Sequence, residues 1–234
     1  MDERTILILA NGVWDLPNDL ARLQTLAEKA ILVVATDGAL DHATACGIHA
    51  DHLIGDLDSV EDASHLKERF PDLAIQRYPE DKDQTDLELA IDWALAQSPS
   101  SILVYGATGG RIDHTMANLA LLEKGLHTGI PIELISKNES VQLLQGNLPL
   151  KGSAIGDRIS LLPISLFCTV STQGLQYTLD GDKLFRGQGR GISNVVVSTP
   201  ASVTVESGVL AVVCAATGRG AATGPDMDAR RKEQ

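Results

Sequence analysis

Aromatic residues are scarce in this 234-residue chain, at 3%, and basic residues are outnumbered, 19 Lys and Arg against 31 Asp and Glu, for a formal charge of −12. That balance argues against a general nucleic-acid binder, which needs clustered Lys and Arg to neutralise phosphates. Any anionic ligand must be held locally. No apolar run reaches the ~18–20 residues of a membrane span, and Asp2 and Glu3 stand where a signal peptide carries basic charge. A cytoplasmic protein with neither nucleic acid nor membrane as partner is therefore expected. The three cysteines, Cys46, Cys168 and Cys214, lie too far apart for a zinc knuckle or a redox motif and read as buried thiols. What is plentiful is apolar content, 44%, enough at ~100–200 residues per domain for one large domain or two small ones.

The first part of the chain alternates apolar runs with helix-period segments, as a parallel sheet with crossover helices requires. Residues 6–9, 31–35, 52–54, 74–77, 102–105 and 132–135 read as strands, most of them continuous apolar runs suited to burial on both faces. Residues 19–29, 61–69, 86–97 and 113–124 read as helices. In the third, Leu87, Ala90, Ile91, Ala94 and Leu95 fall on one stripe. After Lys137 the period becomes two, and 141–144, 158–163, 168–171, 175–179, 195–198, 201–206 and 209–215 read as short strands between Gly-containing turns. The expected architecture is an α/β domain with a mostly parallel sheet over residues 1–137, followed by an antiparallel β-sandwich over 138–217. Residues 218–234, mixing Gly and charge without apolar pattern, are expected to be a disordered tail.

Open α/β sheets place ligands beyond the carboxyl ends of their strands, and four segments stand there. Asp37-Gly38 follows one strand, its glycine permitting close approach of backbone to ligand. Gly55-Asp56-Leu57-Asp58-Ser59 follows the next. Alternation along an extended segment points Asp56 and Asp58 to one side, within reach of one hard cation such as Mg or Mn. The third is Glu80-Asp81-Lys82-Asp83-Gln84-Thr85-Asp86, in a window (78–92) of six acids and one base. Asp83 is expected to be an N-cap, with Asp86 facing the same helix end. So many like charges are unfavourable unless solvent, a helix dipole or a cation offsets them. The fourth, Gly106-Ala107-Thr108-Gly109-Gly110-Arg111-Ile112-Asp113-His114, has the makings of a phosphate cradle: glycines freeing backbone N–H groups, a helix N-terminus, and a guanidinium able to chelate phosphate. It is neither a Walker A loop nor a dinucleotide fingerprint. His42, His49, His52, His65 and His127 show no partner in sequence and read as structural, and Trp14 and Trp93 read as core.

This ordered set, continuing to Asn118, resembles the thiamine pyrophosphokinase family. The resemblance extends into the β region, where Gly174-Leu175-Gln176-Tyr177 is similar to the family's Gly-Leu-Lys-Trp-like strand and Ser193-Asn194 to its Ser-Asn pair. It implies transfer of a pyrophosphoryl group from ATP, the co-substrate, to the hydroxyethyl oxygen of thiamine. It also implies a homodimer with each site shared across the interface. Carried over by position, Asp56, Asp58 and Asp86 are implied Mg²⁺ ligands. Asp37, Gly38, Ser59, Thr108, Gly109, Gly110, Arg111 and His114 are implied at the nucleotide and its metal. Asp83, Thr85, Tyr177, Ser193 and Asn194 are implied at thiamine, and Asp86 or Asp113 as the group that orients or deprotonates the attacking hydroxyl. Two positions depart from the family: Ala39-Leu40-Asp41 replaces a Gly-Ala-Asn continuation, and Tyr177 replaces a frequent Trp while keeping an aromatic face. The alternatives are a Mg-dependent phosphohydrolase of a nucleotide or diphosphate ester and a non-catalytic thiamine or nucleotide sensor.

Overall fold

The computed structural model describes residues 4–14, 16–57, 65–137 and 139–216. Asp58, Ser59 and the tail from 218 lie outside the described residues, as does most of the start of the helix expected over 61–69. The elements run β1 (Thr5–Leu9), α1 (Leu16–Lys29), β2 (Leu32–Thr36), α2 (Ala39–Ala45), β3 (His52–Gly55), α3 (Leu66–Arg69), β4 (Ala74–Arg77), α4 (Asp86–Ala96), β5 (Ser101–Tyr105), α5 (Ile112–Leu121), α6 (Glu123–Thr128) and β6 (Ile132–Ile135). The antiparallel part follows as β7 (Glu139–Pro149), β8 (Arg158–Pro163), β9 (Phe167–Gln173), β10 (Asp182–Phe185), β11 (Asn194–Val195) and β12 (Ser202–Ala215).

Strands β1 to β6 pair in the order β4-β3-β2-β1-β5-β6, every pair parallel. The apolar runs of β1, β2, β3, β5 and β6 are largely buried, as the continuous pattern predicted, while β4 at the border of the sheet is mostly exposed. Leu7, Leu9, Val33, Ala35 and Leu53 join one core with α2, and Ile6, Ile8, Val34, Ile54, Ile102 and Val104 join a second core with α4. Leu87, Ala90, Ile91 and Ala94 supply the buried stripe of α4, with Leu95 packed at its edge. Because β1 leads outward through β2, β3 and β4 on one side and β5 returns on its other side, the sheet has its switch point at β1, where a crevice opens beyond the carboxyl ends.

β6 pairs antiparallel with β7, matching Glu133 to Gln142 and Ile135 to Ser140, so the sheet continues into the second half. There β12 is the spine. It pairs with β7 along its length, with β9 through Ser202–Ser207 and with β8 through Leu210–Ala215. A third core, including Leu144, Ile159, Leu161, Val170, Val203, Leu210 and Val212, fills this antiparallel half.

Several boundaries differ from the sequence reading. The two runs at 201–206 and 209–215 are one strand, because the irregularity between Val205 and Leu210 takes up the phase change. Residues 175–179 form no strand; only Leu175 bridges to Val196, and buried Leu175 and Leu179 fasten a turn to the core. β10 follows Gly181, where polar Asp182 and Lys183 hid the period. α2 was not anticipated, since seven residues are too short to show a clear stripe. The helix expected over 113–124 divides at Leu122, and α6 packs through Gly125, which lies against Ile130 and Ile132. All three cysteines are free thiols, and the Cys214 thiol is pushed up to about 11 by burial and by the charges of Glu133 and Asp157. His42 and His52 do have partners: His42 stacks on Trp14 at 5.4 Å, and His52 lies tilted against Trp93 at 4.3 Å.

Candidate active site

At the switch point lies a cleft of about 590 Å³. Its walls come from the loop after β1 (Ala10, Asn11, Gly12, Val13), the end of β2 (Thr36), the segment entering α4 (Lys82, Gln84, Thr85, Asp86) and the loop entering α5 (Gly106, Gly109, Gly110, Arg111, His114), with Asn118 behind. The loops after β1 and β5 are laced together: Ala10 N–H donates to Tyr105 O, Gly12 N–H to Gly106 O at 2.7 Å, and Val13 N–H to Thr108 O at 3.2 Å. A side chain on Gly12 would run into the Gly106 carbonyl, so only glycine permits this approach. Asn11-Gly12 was missed in sequence; a Gly directly after an apolar strand was the available signal.

At Asp86 and Lys82 the cleft adjoins an acidic cluster. Asp37, Asp56 and Asp86 each offer an oxygen within 4.8 Å of the others. Asp37 is 3% exposed, held at the end of β2 by Leu57 N–H donating to its Oδ2 at 2.7 Å. Gly55 makes room for this carboxylate, because a Cβ there would collide with it. Among the described residues, Asp37 Oδ1 is buried with no hydrogen-bond partner. Burial, then the approach of Asp56, then the charge of Asp86 push Asp37 up to about 7, against the lowering by the Leu57 N–H. Lys82 Nζ lies 2.7 Å from Asp56 Oδ2 and 3.0 Å from Asp86 Oδ1. Asp56, Asp86 and Asp37 thus meet, Asp37 closer in than a neighbour of the site, while Asp58 and Ser59 lie outside the described residues.

Asp83 is not the cap of α4. Thr85 is, its hydroxyl accepting from Glu88 N–H at 3.2 Å, which spends that oxygen on the helix and places Asp86 at the first helical position. Asp83 is exposed and does not line the cleft. Gly38 caps α2 and lies against the Asn11 side chain. Ala39-Leu40-Asp41 opens α2, where Ala39 and Leu40 are buried.

The other end is exposed and cationic. Gly109 and Gly110 take positive φ (86° and 68°) ahead of α5, and Arg111 stands at its N-cap. Arg111 is 72% exposed and forks onto Asp113, Nε to Oδ1 at 3.1 Å and Nη2 to Oδ2 at 2.6 Å. Asp113 Oδ1 also accepts from His114 N–H. Arg111 first, and that N–H second, hold the Asp113 carboxyl down at about 2, which makes it a brace for Arg111 and a poor base. Asn118 donates to Ala107 O and pins the loop to the helix.

Tyr177, Ser193 and Asn194 do not line this cleft. They form their own cluster. Asn194, 6% exposed, accepts from Tyr177 N–H and donates to Tyr177 O, so its amide fixes the tyrosine backbone. Tyr177 is 63% exposed, and Ser193, at φ 59°, is exposed beside it.

Comparison with known proteins agrees with this geometry. Residues 23–134 match the family described as thiamin pyrophosphokinase, catalytic domain, and residues 148–210 match thiamin pyrophosphokinase, vitamin B1 binding domain. A thiamine pyrophosphokinase of Bacillus subtilis is 31% identical over 90% of this chain and 98% of its own length, and one of rice (Oryza sativa subsp. japonica) is 30% identical over 68% and 64%. The crystal structure of the Bacillus subtilis thiamine pyrophosphokinase superposes with a TM-score of 0.81 at 29% identity, covering 92% of this chain and all of that one. A cleft with acids at one end and a glycine-arginine loop at the other, on this fold and with this likeness along both halves, places the chain in the thiamine pyrophosphokinase family.

Proposed function

We infer that the cleft performs the reaction of its family: the protein is a thiamine pyrophosphokinase, moving the pyrophosphoryl group of ATP to the hydroxyethyl oxygen of thiamine, with AMP as the other product. The observation that carries this is a cleft that joins a cluster of three carboxylates, Asp37 buried and Asp56 and Asp86 partly so, to a glycine loop and helix start fit to cradle phosphate. The phosphohydrolase and sensor alternatives draw no support from the comparisons.

Asp37, Asp56 and Asp86 would hold Mg²⁺. The donor set is all carboxylate oxygen, which suits a hard cation, and the buried, unpartnered Asp37 Oδ1 is the sort of atom such an ion satisfies. When bound, the ion neutralises phosphate charge and polarises the reacting phosphoryl group. The backbone N–H groups at Gly109 and Gly110, with the start of α5, receive phosphate oxygens. Arg111, aimed by Asp113, adds a charge-assisted contact to the leaving side. Asp86, on the cleft wall, orients the thiamine hydroxyl. Tyr177 and Ser193, away from the cleft of their own chain, serve thiamine in a partner's cleft, and residues 138–217 form the thiamine-binding and dimerising half. On this reading the protein works as a homodimer, and its place is the cytoplasm.

The test is a product assay with ATP, Mg²⁺ and thiamine, with matched reactions lacking thiamine or metal. Equal AMP and thiamine diphosphate, dependent on both, is the expected result. ATP consumption without thiamine would return the hydrolase.

A further inference from the structure

The lone base in the acidic segment plays no part in the reaction as described above, yet it sits on two of the three carboxylates. Lys82 belongs to the loop between β4 and α4; its side chain is 14% exposed and lines the cleft. Its ammonium bridges Asp56 at 2.7 Å and Asp86, four residues on, at 3.0 Å. Burial works against the charge of Lys82, but the hydrogen bonds of Asp56 and Asp86 outweigh it and raise its pKa above the ordinary lysine value. Arg77 reaches the same place differently, giving its Nε–H to the Asp56 backbone carbonyl at 3.2 Å and not to the carboxylate.

The three carboxylate oxygens lie within 4.8 Å of one another. An ammonium already bridging two of them and a divalent ion serving all three compete for the same lone pairs, and two positive charges at that range repel. Lysine suits such an exchange, being a point charge on a flexible four-carbon stem that keeps its charge when it moves. Lys82, Gln84 and Thr85 line the same cleft as Gly109 and Gly110, so an ammonium leaving the acids would have a nucleotide phosphate bound there as its next partner.

We propose that Lys82 is an internal counter-ion that holds Asp56 and Asp86 in the resting site, yields them to the divalent cation, and then pairs with the nucleotide phosphates. It is a positioning residue for the cation and a contact residue for the nucleotide. The proposal rests on the trio being the cation site. Lys82 therefore raises the cation concentration needed to load the empty enzyme and favours loading together with nucleotide.

The experiment is Mn²⁺ binding to the nucleotide-free protein, followed by electron paramagnetic resonance of free Mn²⁺, in wild type and in K82M, K82Q, K82R and D56N, with circular dichroism as the folding check. Removing the ammonium is expected to tighten Mn²⁺ binding roughly tenfold in K82M and K82Q, the size of one lost charge-assisted competitor. K82R is expected to stay near wild type. At saturating Mn²⁺, ATP binding to K82M and K82Q is expected to weaken by about the same factor. A merely structural lysine would not make cation binding tighter when removed. Unchanged or weaker Mn²⁺ binding in folded K82M and K82Q overturns the role of Lys82. Absence of a wild-type Mn²⁺ site that D56N abolishes overturns the cation site itself, and the two failures are distinguishable.

Discussion

At the acidic end of the cleft Asp37 is 3% exposed and Asp56 and Lys82 are 13% and 14% exposed at their side chains, whereas at the opposite end Arg111 and Asp113 are 72% and 61% exposed. The first group stands at strand ends and a helix start, anchored by the sheet; the second rides a glycine loop ahead of a helix that buries none of its own residues. Burial concentrates charge and makes each acidic group costly to alter, while exposure leaves the arginine screened and adjustable. The difference separates a fixed part, where the chemistry is set, from an adaptable part that receives a phosphate chain.

Asp37→Asn is the strongest test of that separation. Turnover at saturating Mg²⁺ is expected to fall by on the order of 10²–10³-fold, in the range of losing one preorganised electrostatic partner. Steady-state kinetics that left Asp37→Asn near wild type would break the comparison. Arg111→Ala is expected to cost less, roughly ten- to hundredfold, with much of the loss in the KM for ATP; a larger loss than at Asp37 would reverse the assignment of the two ends.

pH sharpens the comparison, since the buried end titrates. Asp37 sits near 7 in the folded, cation-free protein and near 3.8 when unfolded. A carboxyl raised in this way favours the folded state at low pH, and that advantage is lost as pH climbs through about 7. The thermal midpoint of cation-free protein is therefore expected to drop between pH 5 and 8. Mg²⁺, which needs the ionised carboxylate, should bind more tightly over the same interval and level off above about 7, as isothermal titration would register. The smallest expected effect is at the start of α4: Thr85→Ala removes its cap and should lower stability by about 1 kcal/mol in urea titration.

How much of this was legible beforehand depended on whether a signal was local. The parallel strands were readable because burial on both faces leaves unbroken apolar runs, and residues 6–9 and 102–105 came out almost at their true bounds. The acids at 37, 56 and 86 were readable as strand-end and helix-start positions. Which residue caps α4 was not, because Asp83 and Thr85 are both good caps and only the backbone path chooses between them. Nor was the reach of Lys82 to Asp56, a contact across 26 positions in sequence. Nor were the hydrogen bonds of Asn194 to the Tyr177 backbone, beside a bridge between Leu175 and Val196 that no periodicity foretells.

The pairing of β6 with β7 carries a practical consequence for anyone who would take the molecule apart. Cutting near residue 138 to obtain two separately expressed pieces strips both sides of that seam: Glu133–Ile135 loses its neighbour and becomes a raw parallel-sheet border, and the opposing edge of β7 is bared in the other fragment. Unprotected borders of this kind recruit other chains. Chimeras that exchange the C-terminal half with that of a relative therefore need to carry the register of Glu133 with Gln142 across the splice, or the graft will join two halves that no longer zip.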